Sequence, residues 1–199
     1  MMQSEKITLR AATAHDVPFL AMVIAEALDD DIMEQYEQAG NRIPDAQRER
    51  MDIIEKVIAA TDTLYTWHHG TIAQDAAGTP LGALVAYSGD DYMQRREVTF
   101  RMFASVVEQS FDPSTMDAET VPGEFYLDSL AVLPSHRGRG VARILLESGI
   151  KKAKSMARPA ILACSPENVG AKRLYESLGF RGTHIYSLFG HPYWRMIHE

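Results

Sequence analysis

Arginine, glycine and small residues crowd one short stretch of the chain, Arg137-Gly138-Arg139-Gly140-Val141-Ala142. It follows an apolar segment, Glu124 to Leu133, that ends at Pro134, and it opens a segment with the periodicity of an amphipathic helix. The small residues at 138, 140 and 142 let a ligand come close to the backbone. The start of a helix leaves several N–H groups without internal partners and carries the positive end of the aligned peptide dipoles. Together these make an anion site, most naturally one for phosphate or pyrophosphate. Arg137 and Arg139 add full charges. A strand-to-helix turn with surface arginines has the same composition, so the chemistry rests on the combination. A Walker loop needs a Gly-Lys pair, and the sequence has none. A dinucleotide loop needs a third glycine where Arg143 stands, and an acidic residue about 20 positions on, where the chain reads Ala157-Arg-Pro-Ala-Ile-Leu.

Other reactive side chains carry weaker signals. Cys164, the single cysteine, ends an apolar run with no histidine beside it and reads as a packed thiol rather than an acyl-carrying nucleophile. The seven histidines show no metal-ligand spacing, and His68 and His69 would alternate across a strand, so no metal is expected. Lys151, Lys152, Lys154 and Arg158 either reach a phosphate or complement the carboxyl end of their helix.

The elements that must position these residues follow from periodicity. A strand is expected over Lys6–Arg10. Thr13-x-x-Asp16 has the spacing of a capping box, and a helix follows through Phe19, Leu20, Val23, Ile24 and Ala27. A second helix after Pro44 carries Met51, Ile54, Val57 and Ile58. Leu64–Gln74 and Leu81–Ser88 read as a hairpin about the turn at 75–80. A helix is expected from Met93 to Phe111 and a loop from Phe111 to Gly123. In the strand 124–133, simple alternation puts Phe125, Leu127 and Ser129 on one face and Tyr126, Asp128 and Leu130 on the other. A helix from about Gly140 to Ala157 must stop before Pro159. A short buried strand follows at Ala160–Cys164. A helix at Asn168–Leu178 closes at Gly179, and two strands near 180–189 and 193–198 finish the chain. This order predicts an α/β or α+β sandwich on a mixed sheet in one domain, 1–199, with a long connection at about 90–123.

Composition agrees. The chain has 199 residues, 46% hydrophobic and 24% charged, ordinary for a globular fold. No membrane-length apolar run or signal-like N-terminus is present, and a lone cysteine suits a reducing cytoplasm. The net charge of −7 argues against nucleic acid as a partner. The charge is unevenly distributed: residues 1–136 carry a net −14 and residues 137–181 a net +7.

The phosphate-loop segment, Leu130-x-Val132-x-Pro134-x-x-Arg137-Gly138-x-Gly140-x-Ala142, resembles the acyl-CoA pyrophosphate loop of the GNAT superfamily of N-acyltransferases. Its R-x-x-G-x-G/A core falls on Arg137, Gly140 and Ala142. A second motif of that superfamily matches Asn168-x-x-Ala171-x-x-Leu174-Tyr175-x-x-x-Gly179-Phe180, and the Ile7–Arg10 … Asp16 opening is similar too. The resemblance implies a mixed, mostly antiparallel sheet with splayed central strands, acetyl-CoA as cosubstrate and direct attack of an amine on its thioester. It implies that backbone groups near Leu130 and Val132 hold the pantetheine arm, and that residues 137–142, Val141 among them, hold the pyrophosphate. Asn168 would hydrogen-bond the CoA arm, or cap its helix, or both.

Two proton transfers remain. A lysine-like amine with a pKa of about 10.4 is neutral in only about one molecule in 2,500 at pH 7, a cost of roughly 4.6 kcal/mol, so a base is worth having. Asp128 and Tyr126 precede the bulge that the resemblance implies. Asp128 is the candidate base or water anchor; alternatively it orients the acceptor or pairs with a basic residue. Tyr175 matches the superfamily tyrosine that protonates the departing thiolate, or is a core aromatic. The connection between the first two helices, with Asp29, Asp30, Asp31, Glu34, Tyr36 and Glu37, either attracts a cationic acceptor such as a polyamine, an aminoglycoside-like molecule or a basic peptide, or is a solvated acidic face. The helix with Tyr92, Phe100 and Phe103 either lids the site or packs a homodimer. A non-catalytic acyl-CoA-binding or sensing protein would carry the same loop.

Overall fold

The protein is seen in a computed structural model that describes residues 6–28, 31–103 and 116–199. Seven strands form one mixed, mostly antiparallel sheet with helices on both faces. The first, β1 (Thr8–Ala11), pairs antiparallel with β2 (Gly70–Gln74), and β2 with β3 (Pro80–Ser88). The order continues through β4 (Phe125–Val132) and β5 (Ala160–Cys164) to the C-terminal hairpin of β6 (Arg181–Leu188) and β7 (His191–His198), with β7 beside β5. Among the described residues, β4 and β5 are the one parallel pair.

The chain reaches α1 (Val17–Ala27) through a tightly held corner. Arg10 donates twice to Asp16, at 2.7 Å each, and the Thr13 N–H donates to the same carboxylate at 2.8 Å. That is the expected capping box, reinforced by an ion pair that holds the Asp16 carboxyl down to about 2. Residues Leu20 to Ala25 of α1 are all buried, as expected of a helix sandwiched on several sides. It packs with α3 (Arg48–Ala59), whose Met51, Ile54, Val57 and Ile58 face the same core. On the other face, α5 (Val141–Ser155) and α6 (Val169–Ser177) cover a second core that includes Leu84, Leu127, Leu146 and Phe180. Gly149 is where α5 meets the sheet: a Cβ there would lie 2.7 Å from a Leu127 methyl.

Four expectations need correction or trimming. The strand expected from Leu64 begins at Gly70, because Trp67–His69 forms a 3-10 turn in which the Leu64 carbonyl lies 2.7 Å from His69 Nδ1. A short helix that periodicity missed, α2 (Ile32–Gln38), stands between α1 and α3; its apolar contribution, Ile32 and Met33, is too brief to show a period. The helix expected over 93–111 is α4 (Tyr92–Phe103), and the rest of that span lies outside the described residues. Finally, alternation along β4 fails after Asp128, for a reason that also builds the site.

Candidate active site

β4 is pulled away from simple strand geometry in two ways. Opposite β3, Val85 pairs with Ser129 but the next residue, Ala86, pairs with Leu127. Asp128 is therefore the extra residue of a β-bulge. Beyond it the faces exchange. Ser129 joins Tyr126 and Asp128 on the α1 side, while Leu130 joins Leu127 in the core beneath α5, the reverse of what period-two alternation gives for residues 129 and 130. On its other edge, β4 pairs with β5 only at Phe125–Ala160 and Tyr126–Ile161. From Leu127 to Val132 the two strands diverge, so the backbone groups of β4 that point away from β3 face a gap instead of a strand.

At the carboxyl end of β4 the chain makes a 3-10 turn at Pro134–His136 and enters the glycine loop. Gly138 (φ +74°) and Gly140 (φ +85°) are both left-handed, and Gly140 caps α5. Nothing lies within 4 Å of where a Cβ would sit on either. The glycines thus serve conformation and leave the approach to the first amides of α5 open. A recess of about 230 Å³ is lined there by Val132, Arg137, Gly138, Gly140, Ala142 and Leu174, among others. The Arg137 guanidinium is tied down: its Nε donates to the Val132 carbonyl at 3.1 Å and it pairs with Glu26 of α1 at 2.6 Å. Ser135 donates through Oγ to Glu37 of α2 at 2.6 Å. The loop is fastened to α1 and α2 on one side, and Arg143 fastens α5 to Ser177 at the end of α6 on the other.

On the α1 side of the bulge lies a larger cavity, about 840 Å³. Two carboxyl groups close to the bulge, Asp128 and Glu119, line it, and Glu167 lines it as well. Tyr87 donates to Asp128 Oδ2 at 2.5 Å and Ser129 to Oδ1 at 2.6 Å. Glu119 is buried; the Tyr92 hydroxyl donates to its Oε2 at 3.0 Å and the Tyr126 hydroxyl to its Oε1 at 3.4 Å. Removal from water raises the pKa of both carboxyls, and the Asp128 charge pushes Glu119 further up. Phenol donors are the counterweight that lets these acids stay in an aromatic surround. Phe103 and Tyr65 meet edge to face, with ring centroids 5.8 Å apart, and both line the cavity.

The sequence-predicted residues therefore divide. Arg137, Gly138, Gly140, Val141, Ala142 and Val132 come together at the α5 recess, with Leu130 on the neighbouring strand and Arg139 in the exposed loop. Asp128 lines the larger cavity with Tyr126, whose hydroxyl is engaged by Glu119. Tyr175 lines neither space; it packs edge to face on Phe180, and burial raises its pKa, keeping the phenol protonated. Asn168 caps α6, accepting from the Ala171 N–H at 2.9 Å. Cys164 is buried, and burial raises its thiol pKa. Arg158 is occupied by Asp90 at 2.6 Å and by Ser88, and Lys152 and Lys154 sit in the last turn of α5, which supports their reading as helix-end charges. Asp31, Glu34, Tyr36 and Glu37 do not line the cavity; Glu37 holds Ser135 instead. Asp29 and Asp30 lie outside the described residues. Sequence reasoning missed Glu119, Ser129 and Tyr87. Only Ser129 had a local signal, its place beside a suspected bulge. Among the described residues, no group of three or more His, Cys, Asp or Glu is placed to hold a metal, and no helix is long and apolar enough to cross a membrane.

A splayed central strand, a bulge and a glycine loop opening the following helix define an acyltransferase-type α/β fold. The chain belongs to the acetyltransferase (GNAT) family, whose model matches residues 26–180. An N-acetyltransferase from Staphylococcus aureus Mu50 superposes with a TM-score of 0.74 at 21% identity, over 96% of this chain and 100% of the other. Another structure, described as an acetyltransferase, gives a TM-score of 0.71 at 25% identity, covering 96% and 98% of the two chains. The NatC complex bound to Gag peptide and CoA matches with a TM-score of 0.55 at 18% identity, covering 96% and 97%. No curated protein sequence matches the chain.

Proposed function

We propose that this protein is an acetyl-CoA-dependent N-acetyltransferase that transfers the acetyl group directly to a primary amine. One observation carries the reading: β4, with its bulge at Asp128 and its splay beyond Tyr126, contributes Val132 to the glycine recess at α5 and Asp128 to the larger cavity. The CoA-bound NatC complex, which shares the fold, supports acyl-CoA as the cosubstrate. Bound acetyl-CoA supplies an activated thioester carbonyl.

The open left-handed glycines and the first amides of α5 hold the pyrophosphate. The unpaired edge of β4 beyond Tyr126 runs alongside the pantetheine arm, and a backbone N–H there faces the developing oxyanion. Asp128 takes a proton from the incoming ammonium. Its raised pKa narrows the gap to that ammonium, which makes the transfer less uphill than for an exposed aspartate. The neutral amine attacks, the C–N bond forms and the C–S bond breaks. As the amide forms, the second nitrogen proton passes to solvent water, and the departing thiolate takes a proton from Tyr175, held neutral by burial, which solvent then restores.

The test is thiol release from acetyl-CoA against a panel of primary amines, beside the melting shift produced by CoA alone. Amine-stimulated release that depends on Asp128 is the expected result. A CoA-induced melting shift with no release for any amine would overturn catalysis and leave an acyl-CoA-binding protein.

A further inference from the structure

The two carboxyl groups beside the bulge share their cavity with many apolar side chains. Phe100, Phe103, Leu188 and Tyr193 line it with Asp128 and Glu119, so much of its wall is aromatic or aliphatic, and Arg50, Glu167 and His191 line it too. Glu119 comes from the return segment just before β4, outside both sequence motifs, and the structure brings it beside the bulge. The Glu119 backbone N–H donates to the Tyr92 hydroxyl at 3.2 Å and that hydroxyl donates back to the carboxylate, so the side chain is held from two sides. Two phenols, Tyr92 and Tyr126, are spent on keeping one buried acid in place.

We infer that the acceptor is a lipophilic primary amine, one ammonium group on an aromatic or branched apolar body, with Glu119 as the specificity-determining acid that receives the ammonium beside Asp128. This rests on the acetyltransferase reading and narrows its acceptor. An ammonium entering beside these two acids exchanges water for carboxylates that are already desolvated and hydrogen-bonded, so it is compensated where a neutral head is not. A ring or branched chain gains by replacing water against Phe100, Phe103 and Leu188. A polyamine would place its second ammonium among those same side chains and lose its hydration there. A free amino acid would bring its own carboxylate against Asp128 and Glu119. The acidic residues of α2 do not line this space; beyond Asp128 and Glu119 its lining offers a polycation one further acid, Glu167, and Arg50 lines the same space with the opposite charge.

The probes are 2-phenylethylamine, its neutral analogue 2-phenylethanol, spermidine, and free phenylalanine. Binding is read by intrinsic fluorescence and melting shift without acetyl-CoA, and turnover by thiol release with it. Phenylethylamine is expected to bind, and to exceed spermidine and phenylalanine at least 10-fold in kcat/KM, while phenylethanol fails to compete. Glu119→Gln should raise the phenylethylamine Kd and KM about 10-fold or more, with the CoA-induced melting shift unchanged. Glu119→Asp should recover part of the loss, which a fold defect would not. Tyr193→Ala, on the half-buried wall, should weaken phenylethylamine more than methylamine. Preferred turnover of spermidine would overturn this inference and leave the acetyltransferase reading standing. Equal binding of phenylethanol, or an unchanged Kd in Glu119→Gln, would overturn it as well. Binding of phenylethylamine with no turnover of any amine would support the amine site and sink the acetyltransferase reading.

Discussion

The two halves of the site are built on opposite plans. At the α5 recess the ligand-facing surface is backbone: two left-handed glycines, open amides and exposed arginines, contributed by a handful of consecutive residues. At the larger cavity it is side chain: carboxylates, phenols and apolar rings drawn from β3, β4, α4, the β6–β7 hairpin and the segment carrying Glu119. A backbone site needs only local conformation and tolerates solvent. A buried acidic site needs long-range partners, because each acid removed from water must be met by a donor. The contrast teaches that one half binds by shape of the chain and the other by chemistry of the walls.

The largest test of that division is Asp128→Asn. It should lower kcat about 100- to 10,000-fold, in the range of general-base removal, yet leave the CoA-induced melting shift intact. A matching loss of CoA binding would erase the distinction. Next, Gly140→Val forces a β-branched residue into a left-handed cap and should weaken CoA binding about 10- to 100-fold, with acceptor binding measured in the absence of CoA unchanged. The pH profile separates the halves further. The base must be ionised to work, and its pKa is raised by burial, so the acid limb of kcat/KM should fall as pH drops through a midpoint above the usual aspartate value near 3.9. A limb at or below that value would contradict the buried-base assignment. The smallest effect on turnover belongs to Asp16→Asn, remote from both halves. The Asp16 pKa is lowered to about 2 in the folded chain, so its stabilisation is present above the unfolded value and disappears as pH falls toward 2. Its loss should cost about 2 kcal/mol of stability at pH 7, seen in denaturant melts, with kcat unchanged in the folded enzyme.

The same division explains what was legible in the sequence. The glycine loop, the α6 cap at Asn168, the capping box at Thr13–Asp16 and most helices and strands were readable because each depends on residues within a few positions of one another. The short α2 was not, having too few apolar residues to show a period. The 3-10 turn at Trp67–His69 was hidden behind a β-like composition. Glu119 was invisible for a deeper reason. Its partners Tyr92 and Tyr126 lie 27 positions before it and 7 after it, and only the packed fold brings all three together. Asp128 was found as a residue, with a bulge expected just after it from the resemblance; that Asp128 is itself the bulged residue, exchanging the faces of Ser129 and Leu130, has no mark in composition.

That bulge has a consequence for how this chain can change over generations. Along β4 the bulge is a place where length can change by one residue without turning the strand over. Deleting the single residue at 128 would restore unbroken alternation with Val85 and Ala86 still facing Ser129 and Leu127, and would leave Ser129 to Val132 on their present faces. What such a deletion removes is the acid itself, while the core beneath α5 keeps every residue it has. Selection on this segment should therefore fall on the identity of the bulged residue rather than on the pattern around it.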